Sequence, residues 1–247
     1  MMSPAVSLLC LPCAGASATM YLRWRRRLEP WLRIVPVELP GRGVRMDEPH
    51  AADVEALAAR LVDEHAADMA GPYALFGHSM GALIAYHMAV RAGEQGRPSP
   101  RLLIVSGSPA PAHRDPSRFD GMDNDQALVA DLRKQGGTPE AVLGSRGLRR
   151  FALDTLAADY AMCRAYRHTP RARLALPLLV LAGRDDDIAP SAIAAWREET
   201  DAEARQVWFD GGHFFVKHRE EEVLALVDQS LRPYAGLTRY GFAAALA

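Results

Sequence analysis

Six short apolar runs, each separated from the next by a longer amphipathic stretch, restrict this chain more than any other feature of its sequence. The runs are Val6–Leu11, Arg33–Glu38, Tyr73–Phe76, Leu102–Val105, Leu178–Leu181 and Gln206–Phe209, rich in the Val, Leu and Ile that suit extended backbone. Between them the spacing of apolar residues predicts helices over Tyr21–Leu32, Ala52–Ala67, Met80–Ala92, Ala192–Glu199 and Glu220–Leu231. Strands alternating with helices predict a mostly parallel sheet flanked by helices on both faces, the α/β class. The 247 residues contain no internal repeat and no low-complexity linker, so a single domain over residues 1–247 accommodates them.

One segment, about 109–173, departs from the alternation and holds no strand pattern. Asp123-Asn124-Asp125 offers N-caps to a helix that stops at Gly136-Gly137. Thr138-Pro139-Glu140 restarts a short helix with Pro at its first position, and Leu148, Ala152, Leu156, Tyr160 and Cys163 recur at helical spacing through a third. A helical insertion between two strands of such a sheet predicts a lid; the plainer alternative is that these helices simply cover the sheet.

Composition excludes several function classes. Hydrophobic residues make up 49% and the formal net charge is -1, which gives no electrostatic case for nucleic acid as a general partner. No stretch approaches the ~20 apolar residues of a membrane span. The run Val6–Ala18 imitates a signal peptide, but it lacks a positive leading region and Pro12 interrupts it, so a cytoplasmic location is expected. The three cysteines Cys10, Cys13 and Cys163 are too few and too odd in number for a disulfide framework. Cys10-Leu11-Pro12-Cys13 has the spacing of a redox or zinc half-site, yet no second CxxC or close His pair completes a zinc site and no compact redox domain surrounds it. No metal or organic cofactor is expected.

The chemistry concentrates at three places. Gly77-His78-Ser79-Met80-Gly81 is a G-x-S-x-G pentapeptide that follows a strand pattern and opens a helix pattern, the context a nucleophile elbow requires. Its serine would stand at a strained corner and at a helix N-terminus, where free N–H groups favour developing negative charge. Serine needs a base, and this fold orders nucleophile, acid and histidine in that sequence along the chain. His213, in Asp210-Gly211-Gly212-His213-Phe214-Phe215 after the sixth strand, takes the role of base. His50, His65, His87, His113, His168 and His218 have no such position and read as surface or packing residues. In Gly183-Arg184-Asp185-Asp186-Asp187, after the fifth strand, three aspartates compete for the acid; Asp186 is preferred and Asp185 is the alternative. A tetrahedral intermediate needs two donors. Met80 N–H supplies one, and the small-residue loop after the first strand supplies the other, from Ala14 or its neighbour Cys13, with Ala14 preferred.

With these pieces in place, the chain resembles the type II thioesterases, stand-alone partners of nonribosomal peptide and polyketide synthases. The resemblance rests on Leu11-Pro12-Cys13-Ala14-Gly15-Ala16-Ser17, Glu38-Leu39-Pro40-Gly41-Arg42-Gly43-Val44-Arg45, the elbow Phe76–Ala82, Ala158-Asp159-Tyr160, Gly183–Asp186 and Gly211–Phe215. It implies an α/β-hydrolase fold, a Ser79-His213-Asp186 triad and oxyanion donors at Met80 and Ala14. It also implies release of acyl or aminoacyl groups from the phosphopantetheine arm of acyl- or peptidyl-carrier proteins, and a monomer. Cys13 stands where the family often has an aromatic or His, and the tail Arg232–Ala247, with Tyr234, Tyr240 and Phe242, has no counterpart. Carrier proteins are acidic, and the Arg clusters Arg23, Arg25, Arg26, Arg27 and Arg146, Arg149, Arg150 are candidate contacts, with a solvated helix face the plainer reading of each. A carboxylesterase or acyltransferase on the same fold, and an inactive carrier-binding scaffold, are the alternatives.

Overall fold

The computed structural model describes residues 5–28 and 30–235. Six strands form one parallel sheet: β1 (Val6–Leu11), β2 (Leu32–Pro36), β3 (Tyr73–His78), β4 (Leu103–Ser106), β5 (Leu178–Gly183) and β6 (Ala204–Phe209), in the order β2-β1-β3-β4-β5-β6. Each coincides with or overlaps one of the six apolar runs. Alternation along the strands divides their side chains between two cores. Leu9 and Leu11 of β1, Tyr73 and Leu75 of β3, and Leu178 and Val180 of β5 enter one. Leu8 and Cys10, Ala74 and Phe76, and Leu179 and Leu181 enter the other. A parallel sheet buried on both faces needs apolar residues at every position, which is why the runs are continuous rather than alternating.

Helices α1 (Trp24–Arg27), α2 (Val54–Glu64) and α3 (Met80–Glu94) precede the insertion. The insertion contributes α4 (Asp125–Gln135), α5 (Glu140–Gly144) and α6 (Arg146–Ala165), and α7 (Pro190–Ala194), α8 (Phe215–His218) and α9 (Glu220–Leu231) complete the set. Residues of α2 and α3 close the first core, and Trp24 of α1 with Val223 and Val227 of α9 close the second. Helix α3 is buried almost all round, so its sequence is apolar on every face.

Three expected elements are corrected. The helix over Tyr21–Leu32 gives way to a 3-10 turn at Ala18–Tyr21 and the short α1. Leu28 is already extended, and Pro30 cannot continue a helix. The helix expected from Ala192 begins at Pro190 and ends as a 3-10 turn over Ala195–Glu199. In the insertion, Asn124 caps α4 by accepting the Ala127 N–H at 2.9 Å, and Gly136, at φ 72°, ends it. Pro139 caps α5 and is not its first helical residue. Leu128, Leu153, Leu156 and Tyr160 bury a small third core under the insertion, whereas Leu148, at the head of the apolar stripe, is exposed. Arg232–Ala235 forms a last turn with Tyr234 against the second core, and Tyr240 and Phe242 lie outside the described residues. Among the described residues no helix is long and apolar enough to cross a membrane.

Strand β1 is flanked by β2 on one side and β3 on the other, so the direction of strand addition reverses there. Open α/β sheets form their clefts outside the carboxyl ends of strands at such a point. The loops leaving β1 and β3 therefore meet.

Buried His87 on α3, with its ring facing the Tyr166 hydroxyl at 3.2 Å, makes the fold sensitive to acid. Burial holds its pKa at about 4 against an ordinary 6.5, with Glu55 opposing. The unfolded chain therefore takes up this proton first: stability is full above about pH 6.5 and is lost as pH falls toward 4. The loss amounts to about 3 kcal/mol. Urea denaturation between pH 7.5 and 4 is expected to show this decline, and His87→Gln to flatten it.

Candidate active site

The turn between β3 and α3 is built on steric exclusion. Ser79 has φ 57° and ψ -113°, and it is the only non-glycine residue at positive φ among the described residues. A Cβ at Gly77 would stand 2.1 Å from the Gly81 carbonyl oxygen. One at Gly81 would stand 2.3 Å from the Leu11 oxygen and 2.6 Å from that of Pro12. The two glycines thus let the strand, the helix and the β1 loop share one corner. The Ser79 N–H donates to the Ser106 carbonyl at 2.8 Å, pinning the corner to β4. Holding a serine in this conformation costs on the order of 1–3 kcal/mol, offset by the burial of α3.

Because the Leu11 and Pro12 carbonyls abut Gly81, the Cys13–Ala14 backbone lies beside the N-terminus of α3. The N–H groups of Met80 and Ala14 have no acceptor among the described residues, and both residues line the same cavity as Ser79.

The β5 and β6 loops are stitched together in turn. Arg184 N–H donates to Phe209 O at 2.9 Å and Asp185 N–H to Gly211 O at 3.0 Å. A Cβ at Gly183 would meet the Gly211 and Gly212 oxygens at 2.5 and 2.6 Å. This contact brings His213 Nδ1–H to Asp186 Oδ2 at 2.8 Å, the tautomer being assigned from the bond itself. The Asp186 side chain is 7% exposed; Asp185 is exposed and its carboxylate has no partner among the described residues, and Asp187 pairs with Lys134 at 2.6 Å. His213 Nε2 is left free toward the cavity that Ser79 also lines.

Two histidines join the site without having been expected there. His113 lines the cavity. His78, fully buried, lies with its ring centroid 5.0 Å from that of His213 and its Nδ1 3.0 Å from Ser106 Oγ. Gly107, at φ 55°, makes room: a Cβ there would be 2.7 Å from His78 Cε1. Burial pushes the His78 pKa well below the usual imidazole value, so it adds no second positive charge beside His213.

Cys10 and Cys13 are free, buried thiols. Burial pushes Cys13 up to about 11, with Lys217 opposing, and raises Cys10 as well, so neither is a thiolate nucleophile at neutral pH. Among the described residues no three His, Cys, Asp or Glu side chains cluster as metal ligands.

The motif residues Arg42 and Asp159, assigned no role from sequence, form a buried bidentate pair at 2.7 and 2.6 Å. Asp159 also accepts the Gly15 N–H at 2.8 Å, and Arg42 donates to Ala16 O at 3.1 Å. The glycines of the same motif have equally specific work: a Cβ at Gly41 would strike the His50 ring at 2.5 Å, and one at Gly43 the Glu38 carboxylate at 2.0 Å.

Over these loops the insertion roofs a half-open cavity of about 840 Å³. Phe119, Met122 and Leu156 give it apolar walls, and Asp131, held by Tyr160 and by Arg118 at 3.3 Å, gives it a polar end. The chain's only two lysines both link the insertion to segments that follow β5 and β6. Lys134 reaches Asp187, and Lys217 donates to Gly137 O at 2.8 Å while lying over the Phe214 ring at 4.7 Å. Of the Arg clusters, Arg27 is engaged by Glu220 and Glu221 at 3.2 and 3.4 Å, and Arg150 by Asp125 and Asp154; Arg146 and Arg149 have no acidic partner among the described residues.

A parallel sheet with a strained serine at the β3–α3 corner, and an Asp–His pair on the loops after its last two strands, defines the α/β-hydrolase class. The profile of the thioesterase domain family matches residues 6–231, and the chain belongs to that family of hydrolases. A probable cadicidin biosynthesis thioesterase from Streptomyces griseus is 36% identical over 230 residues, 93% of this chain and 63% of that protein's length. Thioesterase PikA5 of Streptomyces venezuelae is 35% identical over 226 residues, 89% of this chain and 78% of its own. The solved type II thioesterase BorB, from the borrelidin biosynthetic cluster, superposes with a TM-score of 0.86 at 36% identity, covering 94% of each chain.

The corner admits no added atom, since the obstructing atoms at Gly81 are backbone. Gly81→Ala is expected to lower stability by about 1–3 kcal/mol and to slow labelling of Ser79 by a fluorophosphonate. Chemical denaturation and labelling rates check both effects.

Proposed function

We propose that this chain hydrolyses acyl and aminoacyl thioesters carried on the phosphopantetheine arm of carrier proteins, with Ser79 as nucleophile, His213 as base and Asp186 as the acid that orients it. The observation that carries the reading is the 2.8 Å His213–Asp186 bond beside a strained serine, opening on a cavity large enough for an acyl chain. Family membership supports thioester over simple ester, and the biosynthetic context named for the relatives supports a carrier-borne substrate.

In this mechanism Ser79 Oγ attacks the thioester carbonyl carbon while its proton passes to His213 Nε2. The carbonyl oxygen, now negative, is held by the Met80 and Ala14 N–H groups. Collapse breaks the C–S bond; the pantetheine sulfur leaves and takes the proton from His213, and the acyl group stays on Ser79. A water then gives its proton to His213 and attacks the ester. Collapse frees the carboxylic acid and returns the proton to Ser79. Asp186 keeps the imidazole in the donating tautomer and stabilises its charged form. Neutral His78 leaves that charge unopposed.

Acyl release from a loaded carrier protein tests the assignment. Ser79→Ala is expected to abolish release, Asp186→Asn to lower kcat by about 10⁴-fold, and Asp185→Asn to stay within about twofold of wild type. Labelling at Ser79 without release from any carrier would move the substrate elsewhere. Equal loss in both Asp variants would remove the distinction between them.

We further propose that the insertion over residues 109–173 is a lid whose seam is the Lys134–Asp187 and Lys217–Gly137 contacts. Asp187 follows Asp186, and Lys217 lies over the ring of Phe214, the residue after His213, so opening and the state of the site are linked. Reductive ¹³C-methylation keeps the lysine charge and gives one NMR signal for each of the two lysines. Both signals are expected to shift together when a long-chain phosphonate is attached to Ser79. Unmoved signals would make the insertion a fixed cover.

A further inference from the structure

We propose that the buried Arg42–Asp159 pair is a positioning device for the loop that carries the Ala14 N–H, and that it makes the orientation of that donor depend on the seating of α6. The inference rests on the reading of Ser79 and Ala14 given above.

The loop Ala14-Gly15-Ala16 has no side chain able to fix its own conformation, and Gly15, at φ 73°, is free to take many. The turn is closed by the Ala16 N–H donating to the Cys13 carbonyl at 3.1 Å, and three charge-assisted contacts tie that turn to the rest of the fold. Asp159 Oδ2 accepts the Gly15 N–H at 2.8 Å, Arg42 Nη1 donates to the Ala16 carbonyl at 3.1 Å, and Glu38 Oε1 accepts the Ala18 N–H at 3.0 Å. The first two come from groups locked to each other by two further bonds, both side chains being 3% exposed. The N–H of the peptide directly after Ala14 is thereby held by an anion, and the Ala16 carbonyl by its cation.

Stability alone does not call for this arrangement. Apolar side chains of similar volume fill such a space without removing two charges from water. A bidentate pair supplies direction: each oxygen and each nitrogen has one geometry. An oxyanion donor needs that, because its strength depends on pointing where the oxygen will be. The two partners also belong to different parts of the fold. Arg42 comes from the turn after β2, whereas Asp159 lies on α6 of the insertion, one turn beyond Leu156, whose Cδ1 packs 3.1 Å from where a Gly15 Cβ would stand. Displacing α6 withdraws the acceptor of the Gly15 N–H, so a seated insertion and an aimed Ala14 N–H go together.

The test uses Asp159→Asn, Arg42→Met and Arg42→Lys in the full chain. Turnover is expressed per site labelled by fluorophosphonate, and affinity is measured for a boronic acid that forms a tetrahedral adduct on Ser79. Asp159→Asn and Arg42→Met are expected to lower kcat by ~10²–10³-fold, as loss of one oxyanion donor does, with KM within about threefold. Boronate affinity should fall in the same proportion, and hydrogen exchange at the Gly15 amide should accelerate. Arg42→Lys, which keeps the charge but offers a single donor point, should recover part of kcat. Variants with lowered melting temperature but wild-type turnover and boronate affinity per labelled site would reduce the pair to a brace and overturn the proposal. If the first two variants do not fold, Arg42→Lys decides alone: a fall in kcat with KM unchanged is the expected result, and wild-type kcat overturns it. A wild type that neither hydrolyses thioesters nor labels at Ser79 would overturn the underlying reading together with the proposal, whereas defects confined to the variants leave that reading intact.

Discussion

The contact between the Gly81 backbone and the carbonyls of Leu11 and Pro12 is the constraint on which the site depends. It sets the distance between the loop after β1 and the helix after β3, and so brings two residues with unpaired N–H groups, Met80 and Ala14, to the cavity that Ser79 lines. Everything around it serves that closeness. The glycines at 77 and 81 omit the atoms that would prevent it, and the Ser79–Ser106 backbone bond holds the strained residue from the other side. Burial of α3 from both core and neighbouring helices supplies the stability that the strain consumes.

Charge is used sparingly near the reacting groups. His213 has one carboxylate partner, and the second imidazole within van der Waals range, His78, is kept neutral by burial. Burial raises the Cys13 thiol to about 11, so it is not a thiolate at neutral pH. The Cys10–Cys13 spacing that suggested redox chemistry is instead the consequence of a strand end followed by a small-residue loop, with both thiols packed in the second core.

Two of the ties between the insertion and the rest of the molecule differ in their physics. At the seam, single-point lysine contacts to Asp187 and Gly137 are exposed and easily exchanged for water. Behind it, the Arg42–Asp159 pair is buried and bidentate, and its loss would strand a charge.

The strands, the elbow and the Asp–His loops were legible because their signals are local. A six-residue apolar run, a Gly two places either side of a serine, or a Gly-Gly-His turn acts through neighbours in the chain. The helix expected over Tyr21–Leu32 failed where such reasoning is weakest, since a run of arginines and leucines has helical composition while Pro30 and the start of β2 dictate otherwise. Asp186 was preferred from sequence with Asp185 left open, and the stitching of the β5 loop to the β6 loop pairs Asp186 with the imidazole, because adjacent side chains on an extended loop point apart and only the second loop says which way the imidazole lies. The roles of Arg42, Asp159 and His78 were invisible for the same reason. Arg42 and Asp159 are 117 positions apart, and no periodicity connects them. The sequence by itself determined a parallel sheet, a serine at its elbow and a histidine after its last strand, since these follow from backbone preferences and short spacings. Only the tertiary structure decided between the adjacent carboxylates and which charges hold the loop after β1, because both depend on segments brought together by burial rather than by proximity along the chain.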